Sequence, residues 1–125
     1  MKDLVIEKSY STPLVTFNSK TGMLVIEGRS IPENPTAFYN SLEDWLTEYF
    51  KAPQAYTKID LKLDYINSGS SKSLLSLLKL ARNYFEKGAK GEVNWYFDED
   101  DESIRDLGKH FRTILKMSFN LVEIM

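Results

Sequence analysis

From Lys58 to Tyr65 the chain alternates without exception: Ile59, Leu61, Leu63 and Tyr65 point one way, and Lys58, Asp60, Lys62 and Asp64 the other. Successive side chains of a strand face opposite sides, so this pattern predicts a strand with one apolar and one wet face. A central strand of a doubly wound sheet is covered on both faces and reads as a nearly continuous apolar run. The alternation therefore predicts helices packed mainly on one side of an open sheet.

The rest of the order follows from period and punctuation. Leu4 to Lys8, Leu14 to Asn18 and Met23 to Glu27 read as strands, the last two joined by a turn at Ser19-Lys20-Thr21-Gly22. Asn34 suits a helix N-cap and Pro35 the first helical position. Phe38, Leu42, Trp45, Leu46 and Tyr49 then recur at helical spacing up to the breaker Pro53. Leu74, Leu77, Leu78, Ala81 and Phe85 define a second helix stopped by Gly88, and Val93, Trp95 and Phe97 another strand. Ile104, Leu107, Phe111 and Leu115 give a third helix, and Phe119 to Ile124 a last strand. The predicted order is β-β-β-α-β-α-β-α-β, an α/β chain with α+β-like layering in an open mixed sheet of five to six strands. The whole of residues 1–125 reads as one domain.

Composition excludes several function classes. Cysteine is absent, so there is no disulfide framework, thiol nucleophile or Cys-type metal site, and a cytoplasmic location is expected. Sixteen basic against eighteen acidic residues leave a net charge of −2, which supplies no general attraction for nucleic acid. No apolar run reaches the ~18 residues of a membrane span, and the N-terminus lacks the apolar core of a signal peptide. No cofactor is indicated.

The most informative stretch for function is Tyr65-Ile66-Asn67-Ser68-Gly69-Ser70-Ser71-Lys72, where the alternating strand runs into a hydroxyl-rich turn that opens a leucine-periodic helix. The first N–H groups of a helix lack internal partners and carry positive partial charge, so a phosphoryl group on that turn meets ready donors. Phosphorylation of a serine here is the leading reading. The competing one is capping, for which Ser is well suited. A single cap needs one serine, whereas serines stand at 68, 70, 71 and 73.

Other candidates carry less. Asp98-Glu99-Asp100-Asp101-Glu102 lacks the glycine and alternate spacing of a calcium loop, and carboxylates are favourable wherever a helix starts. His110 is the only histidine and flanks Phe111 on a helix. Lys72-Ser73 ends like a phosphate-binding loop, but Ser71 and Ile66 stand where its glycines belong. Trp95 is in phase with the core, whereas Tyr96 faces the other way and is free to meet a partner.

Ser11-Thr12-Pro13, Gly28 to Asn34 (GRSIPEN), Leu63 to Lys72 (LDYINSGSSK), Asn94 to Asp98 (NWYFD) and the closing Phe119 to Ile124 occur in an order and spacing that resemble the SiaC family of bacterial regulatory phosphoproteins. That family's fold is similar to the STAS domains of anti-sigma-factor antagonists. The resemblance implies a non-enzymatic domain that a dedicated kinase phosphorylates and a PP2C-type phosphatase dephosphorylates. It also implies that the unmodified form binds and activates a diguanylate cyclase in c-di-GMP signalling. The family's modified hydroxyl follows the asparagine at the strand end, which here is Ser68, with Ser70 and Ser71 as alternatives. The family more often has threonine there, whereas this chain reads Ser68-Gly69. Asn67, Gly69, Lys72 and Tyr96 are the candidate phosphate or partner contacts. Two other classes stay open on the residues alone: a constitutive interaction module in which the turn is only a cap, and an enzyme built around a serine or carboxylates. Oligomeric state is not legible.

Overall fold

The computed structural model describes residues 1–125. Six strands form one sheet in chain order: β1 (Leu4–Ile6), β2 (Leu14–Asn18), β3 (Met23–Ser30), β4 (Thr57–Ile66), β5 (Gly91–Asp98) and β6 (Phe119–Ile124). Three helices, α1 (Pro35–Tyr49), α2 (Ser68–Glu86) and α3 (Glu102–Leu115), fill the later connections. The predicted order and the open mixed sheet hold.

β1, β2 and β3 pair antiparallel, and β3 to β6 pair parallel. The β2–β3 turn is closed by Asn18, whose side-chain oxygen accepts from the Lys20 and Thr21 amides while Gly22 takes a φ of 73°. Crossovers between parallel neighbours are right-handed as a rule, and the strand order has all three step across the sheet in the same direction. All three helices therefore lie on one face. Leu24, Ile26, Ile59, Leu61, Val93 and Trp95 point into the core under the buried Leu42, Leu46, Leu74, Leu78, Phe111 and Leu115 of the helices.

Four expectations change. β1 stops at Ile6 rather than Lys8, and β3 runs on to Ser30 because its parallel partner β4 is longer than it looked. α1 ends at Tyr49, before Pro53 acts. Tyr65 does not join Ile59, Leu61 and Leu63: Gly28 pairs with Leu63 but Arg29 with Tyr65, so a bulge at Asp64 turns Tyr65 to the helix-free face, 54% exposed.

The face expected to be wet is also not uniformly so. Asp60 is only 7% exposed and Asn94 8%. The Asn94 side-chain amide donates to the Asp60 carboxylate at 2.9 Å, and the Asn120 amide donates to Asn94 Oδ1 at 2.9 Å and to Glu92 Oε2 at 3.2 Å. The Tyr56 hydroxyl donates to Glu92 Oε1 at 2.6 Å and holds that carboxyl below its ordinary range.

Candidate functional site

Because β3, β4 and β5 run parallel, their C-terminal ends and the N-termini of α1, α2 and α3 gather at one end of the sheet. Ligand and partner sites of α/β folds favour that end. The β4–α2 turn is part of it.

Asn67 builds the turn. With extended backbone angles, its side-chain oxygen accepts from the Ser70 amide at 2.9 Å, its carbonyl accepts from the Ser71 amide at 2.9 Å, and its own amide donates to the Ser30 carbonyl at 3.3 Å. The cap is thus an asparagine, and none of the serines supplies it. Ser68, the first helical residue, is exposed. The capping explanation for the serine cluster loses its ground at Ser68.

The other hydroxyls differ sharply. Ser70 has no exposed surface, and its Oγ lies buried without a hydrogen-bond partner, so this alternative acceptor is sealed inside the molecule. Ser71 is half-buried. Ser68 alone of the three predicted acceptors is exposed.

Around Ser68 the charges are sparse. The first turn of α2 holds no carboxylate, and the exposed Lys72, one turn along, is in none of the ion pairs, which join Lys51 to Glu48, Arg82 to Glu86 and Arg105 to Asp106. Gly69 faces α1: a methyl on its Cα would stand 3.4 Å from Pro35 Cγ. Beside that contact lies a polar groove of about 460 Å³ whose walls include Asn40 and Glu43 of α1 and Lys72 and Ser73 of α2.

Beneath the groove, Tyr39 and Ser30 share a hydrogen bond of 2.7 Å, and burial pushes the Tyr39 hydroxyl up to about 12. Sequence reasoning missed this support from α1. The signal was present in the parallel layout, which brings the starts of successive helices to the same sheet end.

Not every predicted contact converges here. Asn67, Gly69 and Lys72 surround Ser68 in the turn and first helical turns. Tyr96, half-buried with Lys62 Nζ 5.1 Å above its ring, lies on the helix-free face, with the sheet between it and α2. The acidic run serves α3: Asp101 caps it by accepting from the Ile104 amide at 3.0 Å, and Asp98 accepts from the Asp100 amide. His110 is exposed on α3.

Known proteins share both sequence and shape with this chain. An uncharacterised protein of Pseudomonas aeruginosa (strain UCBPP-PA14) is 30% identical over 112 residues, covering 90% of this chain and 89% of the relative. The crystal structure of apo-SiaC from Pseudomonas aeruginosa is 27% identical and covers 100% of both chains with a TM-score of 0.86. SiaC in the crystal structure of the diguanylate cyclase SiaD with its activator SiaC, also from Pseudomonas aeruginosa, is 27% identical. That match covers 98% of this chain and 100% of the other, with a TM-score of 0.91. No helix of the present chain is long and apolar enough to cross a membrane. The profile of the SiaC family regulatory phosphoproteins matches residues 6–124, and the chain belongs to that family.

Proposed function

We propose that this protein is a phosphorylation-switched activator of a diguanylate cyclase, acting by binding rather than by turnover, with Ser68 as the modified residue. In this reading the unmodified form docks on the cyclase, a cognate kinase adds the phosphate and a PP2C-type phosphatase removes it. A cytoplasmic working place belongs to the same proposal, since kinase and cyclase both consume nucleoside triphosphates. The observation that carries it is an exposed hydroxyl at the start of a 19-residue helix whose capping is already done by Asn67. Related SiaC is the activator of the cyclase SiaD in a complex whose SiaC chain superimposes closely on this one.

The mechanism is electrostatic. A phosphoserine brings about −1.5 to −2 charge and three acceptor oxygens to a helix start, where unpaired N–H groups and Lys72 can hold it. A partner surface fitted to a small neutral hydroxyl then meets a bulky dianion. Replacing Ser68 by Asp should lower cyclase activation at least about tenfold, in keeping with an unpaired charge forced into a protein interface. Ser68→Ala should activate normally and take up no phosphate from the cognate kinase. An Asp variant that activates as well as the parent, or phosphate uptake undiminished in the Ala variant, overturns the assignment.

A further inference from the structure

The helix-free face of the sheet is built to be covered. Purely parallel sheets are almost always covered on both faces; this sheet is mixed, but four of its six strands, β3 to β6, pair parallel and all three helices lie on one side. Apart from the terminal methionines, the exposed large apolar side chains Val5, Tyr10, Met23, Tyr56, Tyr65 and Ile124 gather at this face. Val5, Met23, Tyr65 and Ile124 project from it by register, Tyr10 lies under the guanidinium of Arg29, and Tyr56 bonds Glu92.

The polar side chains in the middle of the face satisfy one another. Asp60, Asn94 and Asn120 are direct register partners on three adjacent strands, linked amide to oxygen across the sheet and onward to Glu92 and Tyr56. A solvated face needs no such closure, because water serves each group. A closed rung can be covered without leaving those groups unpaired, which removes much of the desolvation cost.

The charge pattern says what covers it. Along β4 the outward side chains read Lys58, Asp60, Lys62, Asp64, a sequence of signs that becomes its own complement when reversed. A two-fold axis in the plane of the sheet and across its strands lays β4 antiparallel on its copy. Lys58 then faces Asp64 of the partner subunit, and Lys62 faces Asp60 of the partner subunit. A two-fold contact requires just such a self-complementary patch. We propose that this face is the interface between two copies of the chain, packed sheet on sheet with the helices outermost. The inference is independent of Ser68, which sits on the helical side of the sheet end.

Strand spacing and length give a contact of roughly 600 Å² per copy, below the ~800 Å² per partner of a standard stable interface, so association at micromolar concentrations is expected. Sedimentation of the full chain from about 1 to 200 μM at low salt should show a monomer–dimer equilibrium. Lys58→Glu sets like charges opposite each other twice per dimer and should weaken it on the order of tenfold. The double variant Lys58→Glu/Asp64→Lys exchanges the two ends and should restore the parental dimer. Both side chains are exposed, and circular dichroism verifies that each variant is folded. A chain that stays monomeric across the range, a dimer indifferent to Lys58→Glu, or a double variant no better than the single one overturns the proposal. So does a face that becomes protected from exchange only when a different protein is added.

Discussion

At the scale of single residues, three neighbours in one turn do three different jobs although the sequence writes them alike. Asn67 holds the backbone, Ser68 faces water, and Ser70 is buried with an unpartnered hydroxyl. Their substitutions should therefore separate in chemical denaturation. Asn67→Ala removes the cap and should cost about 1 kcal/mol. Ser68→Ala should stay within about 0.5 kcal/mol of the parent, as for surface positions away from special features. Ser70→Ala deletes a buried, unsatisfied hydroxyl and should be neutral or stabilising, since the loss of an unmade hydrogen bond costs nothing. A Ser68→Ala variant as unstable as Asn67→Ala would return Ser68 to a structural role. Tyr39 gives the turn's support a pH signature. Its hydroxyl titrates near 10.0 when unfolded and about 12 when folded, because burial disfavours the phenolate. The folded state holds that proton more tightly, so its contribution is complete below pH 10 and is lost as pH climbs toward 12, by about 3 kcal/mol in all. Urea midpoints measured across that window should fall more steeply for the parent than for Tyr39→Phe.

At the scale of elements, strand and helix identities were written in the periods, because burial on one face forces period 2 in β4 and a helical stripe in α1, α2 and α3. What escaped the periods were places where a local irregularity or a close approach decides. The bulge at Asp64 reverses Tyr65, and nothing in the run Leu63-Asp64-Tyr65 marks it; only pairing with Arg29 of β3 shows it. Asn67 in the site was legible as an asparagine before serines, but its rank above them as the cap shows only in the bond its side-chain oxygen accepts from the Ser70 amide. Gly108 is the other case. It looks like a weak point on the stripe of α3, yet it is buried, and a Cβ there would lie 2.5 Å from Trp95 Cδ1 and 2.9 Å from Leu121 Cδ2. The glycine lets α3 approach β5 and β6, while the Trp95 indole N–H donates to the Ile104 carbonyl at 2.9 Å. Gly→Ala inside an exposed helix stabilises by about 0.5–1 kcal/mol. Here the added methyl overpacks a closed contact and should instead destabilise by about 1–3 kcal/mol, read as a lower thermal midpoint. A rise in that midpoint would mean that α3 can shift away from the sheet at little cost.

At the scale of the whole molecule, parallel pairing from β3 to β6 gives the protein two unlike ends. One collects Ser30 to Asn34, Ile66 to Ser70 and the acidic start of α3; the other collects the chain entering β4 and β5 and the ends of the helices. β4 has ten residues, so the ends stand about 33 Å apart, more than one partner contact of ordinary size need span. The proposed switch is thus a statement about one end only. Amide exchange of the full chain with and without its cyclase should show slowed exchange in residues 29–35 and 65–76, and none in residues 52–57 and 87–92. Phosphorylating Ser68 beforehand should abolish that footprint without altering exchange in residues 58–64 of β4 or in β5, because the modification changes what can dock and leaves the folded core alone. Protection confined to the opposite end would separate the docking surface from Ser68 and leave no direct route from phosphate to partner. Loss of protection throughout the sheet on phosphorylation would mean that the switch works by unfolding the domain, which an exposed hydroxyl outside the cap gives no physical reason to expect.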